Sequence, residues 1–224
     1  MVVVVAERSD GWPTSPAQAL ALQARLAPAV IRRGAAHGAT LVTGVDVHVR
    51  AAHAYAACIT ITLPDFRVVE TVTAACPMSF PHVPGLPSFR ELPAALAVVR
   101  RLARPPDALL VDGHGVAHPW RFGLACHLGV MLDLPTVGCA KSLLIGTYDP
   151  PAPPRGSVAA LWDGHARIGA VVRTRAGVAP VFVSIGHRLS LAAAVALVLR
   201  CTCRYRLPEP ARQAHLAARA LVRA

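Results

Sequence analysis

Four consecutive apolar residues, Ala108-Leu109-Leu110-Val111, lie between Pro106 and the turn-forming pair Asp112-Gly113. A run this short and this uniformly apolar fits a strand covered on both faces, the environment of an inner parallel strand. Such a strand requires helices on either side of its sheet, so it points to an α/β domain. The flanking sequence reads the same way. Leu41 to Val49 is a strand carrying Asp46, and Ala54 to Leu63 and Phe66 to Ala75 form an antiparallel pair about Pro64-Asp65. Thr136 to Gly138 is a second short inner strand, and Ile168 to Thr174 and Val181 to Ile185 are further strands. Ser15-Pro16 opens a helix over Ala17 to Arg32, closed by Gly34 and Gly38. Ser88-Phe89-Arg90-Glu91 has capping-box spacing and opens a helix to about Ala103. Pro119 to Leu132, Leu189 to Leu199 and Pro210 to Val222 complete the helices, and the proline-rich stretch Tyr148 to Arg155 is loop. The expected fold is a mixed central sheet flanked by helices in one domain, 1–224, with 1–13 a loosely attached N-terminal segment.

Charge narrows the class of partner. Lysine and arginine number 23 against 12 aspartates and glutamates, a net charge of +11 on 224 residues. A surplus of that size in a small domain favours a polyanion, because phosphate contacts release condensed counterions. No apolar run approaches the roughly 20 residues of a membrane span, and Met1 to Ala6 is too short for a signal-peptide core. The expectation is a soluble, cytoplasmic protein without a membrane partner. The cysteines at 58, 76, 126, 139, 201 and 203 form no C-x-x-C pair, which favours buried, reduced thiols over a zinc knot on Cys201 and Cys203.

Among so few acidic residues, those within apolar strands stand out. Asp46 sits in Val45-Asp46-Val47 and Asp112 closes Leu110-Val111-Asp112. A carboxylate at a sheet core is paired, hydrogen-bonded or metal-bound. If the two strands are neighbours, the carboxylates meet, and two such oxygen donors suit magnesium beside a phosphodiester. Bland roles remain open: Asp46 can cap a loop, Asp112 can start a turn, and Glu91 can serve the capping box. His114, His118 and His127 lack a matched fourth ligand and read as hydrogen-bonding residues.

Longer motifs carry more information. Gly44-Val45-Asp46-Val47, the stretch Phe80-Pro81-His82-Val83-Pro84-Gly85-Leu86-Pro87-Ser88-Phe89-Arg90-Glu91, and Asp112-Gly113-His114-Gly115-Val116-Ala117-His118-Pro119 resemble the endonuclease V family in order and spacing. So do Arg121-Phe122-Gly123 through His127-Leu128-Gly129, Gly138-Cys139-Ala140-Lys141-Ser142, Val183-Ser184-Ile185-Gly186-His187-Arg188, and Pro208-Glu209-Pro210-Ala211-Arg212-Gln213-Ala214-His215. The resemblance runs from about Leu20 through the remainder of the chain. It implies a ribonuclease-H-like fold and a nick at the second phosphodiester bond 3′ to deoxyinosine, leaving 3′-hydroxyl and 5′-phosphate ends. It implies Asp46 and Asp112 as ligands of Mg2+, with Mn2+ able to substitute, and Glu91 completing the acidic cluster. His215 would orient water or help a proton transfer, and Lys141, the sole lysine, would hold the scissile phosphate. A base pocket is implied around His82, Val83, Pro84, Gly85, Gly113 and Gly138, with His118 supporting it. The expected partner is DNA containing deoxyinosine, single- or double-stranded, bound by a monomer.

Two residues depart from the family pattern. His82 stands where relatives carry tyrosine as a wedge beside the lesion, and Pro87 stands where relatives have a non-proline apolar residue. Imidazole offers less stacking area than phenol, and proline has no N–H to give a base. Two alternatives remain open at this stage: an endoribonuclease for inosine-containing RNA, and a nucleic-acid-binding protein without catalysis.

Overall fold

The computed structural model describes residues 3–4 and 12–223. One mixed sheet runs through it, built from β1 (Val3–Val4), β2 (Leu41–Arg50), β3 (His53–Thr62), β4 (Val68–Pro77), β5 (Ala108–Val111), β6 (Thr136–Ala140), β7 (Val158–Asp163), β8 (Ala166–Val172) and β9 (Val181–His187). Their order across the sheet is β1-β4-β3-β2-β5-β6-β9-β8-β7. β5 is parallel to both its neighbours, β2 and β6, while β3 and β4 on one side and β9, β8 and β7 on the other run antiparallel. The helices are α1 (Pro16–Leu26), α2 (Ser88–Val99), α3 (Leu124–Leu132), α4 (Leu191–Arg200) and α5 (Glu209–Arg223). This is the expected ribonuclease-H-like arrangement.

The apolar run at 108–111 explains the layers. Alternate residues of a strand face opposite sides of its sheet. Ala108 and Leu110 join a core with Val42, Val137, Leu197 and Ala214, under α4 and α5. Leu109 and Val111 join another with Val45, Leu92, Val98 and Leu128, under α2 and α3. All four residues of β5 are fully buried, so no polar residue is tolerated until the strand ends at Asp112.

Several expected boundaries move, each for a local reason. The first helix does begin at Ser15, whose side chain accepts from the Gln18 N–H, but it ends at Leu26 rather than Arg32. Pro28 cannot donate to a preceding carbonyl, and the chain tightens into a 3-10 turn over Ala27–Ala29 before Val30 becomes extended. The capping box at Ser88 does not form. Pro87 is the N-cap of α2 with no side-chain cap bond, and its carbonyl accepts from the Arg90 and Glu91 N–H groups. Ser88 instead places its hydroxyl 3.5 Å from His127 Nδ1. That helix stops at Val99. α3 starts at Leu124 rather than Pro119, because Gly115–Gly123 is a loop tied to β9 by the Val116 N–H donating to the Ile185 carbonyl. β7, an edge strand, was not expected at all. Of the segment 1–13, residues 1–2 and 5–11 lie outside the described residues. Val3–Val4 pairs with β4, and the Trp12 indole N–H donates to the Phe89 carbonyl at 3.1 Å.

No disulfide joins the six cysteines, and five of them are buried. Among the described residues, no helix is long and apolar enough to cross a membrane.

His127 lies wholly inside this core, its ring 5.0 Å from Phe89, 5.1 Å from Phe122 and 5.8 Å from Trp12. Burial there pushes its pKa down to about 3. A histidine that stays neutral when folded but charges when unfolded binds more protons in the unfolded state, so stability is full above its ordinary pKa and falls as pH drops below about 6.5. His118, lowered to about 4 by burial and then by His114, acts in the same direction. Unfolding free energy measured by denaturant titration should decline on acidification below pH about 6 by up to roughly 1.4 kcal/mol per pH unit for each such histidine. His127→Leu should flatten that slope by about one histidine's share; an unchanged slope would refute the assignment.

Candidate active site

The pairing of β2 with β5 puts Val45 level with Val111, and the Asp112 N–H donates to the Val45 carbonyl at 2.9 Å. Asp46 is thus the first residue of β2 beyond that pairing, and Asp112 the first residue after β5. Lys141 is likewise the first residue after β6. Three charged side chains therefore stand along one edge of three adjacent parallel strands, Asp112 and Lys141 just past the ends of β5 and β6 and Asp46 within β2. Among these strands β2 alone continues well past the edge, as far as Arg50.

α5 closes the site from above. Gly44 shares a face with Asp46, and a Cβ on it would lie 2.1 Å from the Pro210 carbonyl. Only a residue without a side chain lets the start of α5 rest on β2 at this distance. Five residues on from Pro210, His215 then reaches Asp46, with Nδ1 2.8 Å from Asp46 Oδ2 and 3.7 Å from Asp112 Oδ2. The Lys141 ammonium contacts Asp112 Oδ2 and stands 3.2 Å from His215 Nδ1. Expected residues Asp46, Asp112, Lys141 and His215 are brought together in one cluster.

His48 belongs to it as well, and the sequence reading missed it. Its Nε2 lies 3.1 Å from Asp46 Oδ2 and 3.2 Å from His215 Nδ1, with the two imidazole centroids 4.9 Å apart. The signal was present: a residue two positions from Asp46 on a strand faces the same way. Asp46, His48 and His215 form a group able to hold a metal ion; Cys201 and Cys203 belong to no such group among the described residues. Arg206 is a second residue that no motif singled out. Its guanidinium donates to the Lys141 carbonyl at 2.5 Å and the Pro180 carbonyl at 2.7 Å, pinning the backbone that presents the lysine.

The electrostatics show three carboxyl groups acting on one another. Burial pushes the Asp46 carboxyl up, but hydrogen bonds from His48 and His215 outweigh it and leave Asp46 below the ordinary carboxylate range. Asp112 is raised, by burial and then by the charge on Asp46, despite Lys141. Glu91, in the first turn of α2, keeps some exposed surface. Burial of its carboxyl, with Asp46 adding, still pushes it up to about 7. His48 is raised, first by its hydrogen bond to Asp46. Two carboxyl groups displaced upward around a third that stays ionised make a pocket for a cation, and the oxygen donors are of the kind that divalent ions take.

The expected recognition residues are distributed more widely. His82 is exposed, with Nδ1 3.1 Å from an Arg90 guanidinium nitrogen. Val83 is half-buried, Pro84 is exposed, and Gly85 has φ +79° with the Trp120 ring pressed where its Cβ would be. His118 is buried and held by a backbone hydrogen bond at Gly85, while its Nδ1 has no partner. Gly113 is half-buried on the loop after Asp112. Gly138 is not at the surface. It is buried in β6, and a Cβ there would lie 2.5 Å from the Gly115 nitrogen and 2.8 Å from the Gly113 carbonyl, so it seats that loop from below.

Paired carboxylates and a lysine on one edge of a ribonuclease-H-like sheet are groups that a nuclease can use on a phosphodiester. The crystal structure of Endonuclease V from Streptomyces avermitilis matches it with a TM-score of 0.92 at 43% identity, covering 100% of this chain and 99% of that one. Endonuclease V of Roseiflexus sp. (strain RS-1) is 47% identical over 203 residues, 91% of either protein, and the Endonuclease V family model matches residues 24–216. The chain belongs to the endonuclease V family. A more distant member from Ciona intestinalis, 26% identical with a TM-score of 0.80 over 92% of this chain and 96% of that one, was solved with a 23mer DNA containing an inosine followed by a ribo-adenosine.

Because Gly44 sets the height of α5 above β2, Gly44→Ala should cost about 1–3 kcal/mol through forced displacement of the helix. Denaturant unfolding would measure this, and a variant as stable as the parent would show that α5 is not clamped at Gly44.

Proposed function

We propose that the protein is a metal-dependent DNA endonuclease that nicks the second phosphodiester bond 3′ to deoxyinosine, leaving 3′-hydroxyl and 5′-phosphate ends. The single observation that carries the reading is the meeting of Asp46, Asp112, Lys141 and His215 at one strand edge. The inosine-containing DNA held by the Ciona relative supports the substrate class, and the net charge of +11 suits a phosphate backbone.

In this reading Asp46 and Asp112 hold Mg2+, or Mn2+ in its place, and Glu91 completes the shell directly or through water. A divalent ion bound there supplies Lewis-acid stabilisation of the phosphoryl oxygens and a more acidic water. The chain's own residues do the remainder. Lys141 neutralises the scissile phosphate from a backbone that Arg206 keeps still. His215 orients the attacking water or helps a proton transfer. Recognition requires the base to leave the stack, and His82, Val83, Pro84, Gly85 and Gly113 form the rim that receives it. His118 holds the Gly85 backbone, and Gly138 holds the Gly113 loop from beneath. Pro87 at the head of α2 presents no N–H toward a base. With His82 in place of a larger ring, lesion selectivity is loosened while the chemistry is retained. The protein acts as a monomer in the cytoplasm. A second reading, cleavage of inosine-containing RNA, draws on the ribo-adenosine that follows the inosine in the Ciona complex.

An end-labelled strand with one deoxyinosine, incubated with Mg2+, should be nicked one nucleotide beyond the lesion. Asp46→Ala should lower the rate by roughly 10²–10³-fold or more, as for loss of a preorganised electrostatic group. A strand left intact by the wild-type protein while matched inosine RNA is cut would move the assignment to RNA. His82→Tyr and Pro87→Leu, compared on inosine-bearing and undamaged strands, should sharpen the preference for inosine; equal preference in both would count against a loosened pocket.

A further inference from the structure

Asp46 Oδ2, His48 Nε2 and His215 Nδ1 converge with separations of 2.8, 3.1 and 3.2 Å. Donor atoms lying about 2.0–2.2 Å from one ion and at right angles to one another stand about 3 Å apart. The three atoms therefore already occupy one face of a cation's coordination sphere. All three can offer lone pairs to a common point. Protons bridge them only in part: Asp46 Oδ2 can accept from both imidazoles, but the two ring nitrogens then face each other at 3.2 Å with no acceptor between them. One divalent ion satisfies the three together.

The identity of the donors matters more than their number. Magnesium takes oxygen ligands and keeps several waters, whereas imidazole suits zinc, copper, iron and nickel. Two of the three donors here are imidazoles. We infer that Asp46, His48 and His215 form a two-histidine, one-carboxylate site that binds a first-row transition cation in preference to magnesium. The inference deepens the metal-dependent reading of this site, and its particular content is His48, a residue with no part in the proposed cleavage steps.

The surroundings permit it. The Asp46 side chain is 8% exposed, His215 25% and His48 30%, so the face is shielded behind and open in front. The neighbouring cation is Lys141, 3.2 Å from His215 Nδ1. When His215 turns its lone pair to an ion, the lysine keeps its contact with Asp112 Oδ2. Asp46 is shared with the oxygen-lined Asp46–Asp112 position, and His215 Nδ1 stands 3.7 Å from Asp112 Oδ2, so the two positions communicate.

Cobalt(II) is the probe, because its visible absorption reports nitrogen ligation without any turnover. Titration of the whole protein should show one Co2+ bound per chain, undisturbed by a tenfold excess of Mg2+. His48→Ala should weaken Co2+ binding by at least about tenfold. His48→Gln, which keeps the side-chain volume without an imidazole, should do the same, and far-UV circular dichroism should remain that of the parent. Either variant binding Co2+ as the wild type does, or equimolar Mg2+ displacing it, would overturn the inference. The nicking assay separates the two readings: Co2+ binding that depends on His48 in a protein that leaves inosine strands intact would sink the endonuclease proposal and spare this one. Nicking that survives with Co2+ binding indifferent to His48 would do the reverse.

Discussion

The site rests on a difference in length between two paired strands. β5 has four residues and β2 has ten, and their parallel register aligns Val111 with Val45. β5 then ends, and β2 carries on with a neighbour on one side only. Everything with chemical potential stands in the space so created: Asp46 and His48 on the overhanging strand, Asp112 where β5 stops, Lys141 where β6 stops. A sheet of equal strands would have paired those backbones and directed their side chains into the two cores. Brevity of β5, itself imposed by the turn at Asp112-Gly113, is what opens the edge.

Holding three acidic groups together in that space is unfavourable without compensation. Asp112 and Glu91 are both pushed toward their protonated forms by burial and by the charge on Asp46. The protein supplies one lysine and two imidazoles in return, and Arg206 holds the lysine's backbone in place. Of the three acidic groups, the lysine and the imidazoles are hydrogen-bonded to Asp46 and Asp112 alone, and Glu91 is left to burial.

Much of this was legible from residues alone, and the boundary of legibility has physical causes. The buried strand at 108–111, Asp46 within β2 and Asp112 after β5 could be read because an acidic residue amid apolar ones has few bland explanations. The capping box at Ser88 could be misread because spacing alone does not reveal a tertiary competitor. His127 takes the attention of the serine hydroxyl, and Pro87 provides the first turn's carbonyl partner. Pro28 was a local signal passed over, and it shortens α1. His48 was readable in principle, two residues along from Asp46. Arg206 was not, because its partners are backbone carbonyls of Lys141 and Pro180, and sequence carries no mark of where a guanidinium fork will find carbonyls. β7 escaped because an edge strand with one exposed side lacks the continuous apolar pattern of an inner one.

The placement of α5 on Gly44 has a bearing on biosynthesis. Asp46 lies on the first long strand to be made, whereas His215 lies on the helix made after every other described element. The overhanging edge can form early, as the three parallel strands assemble, yet it has no roof until α5 arrives. Domains gain structure from the N-terminal side as they emerge, so in a nascent chain the acidic edge precedes the assembled centre. Chemistry that depends on His215 meeting Asp46 thus has to wait for the last described helix.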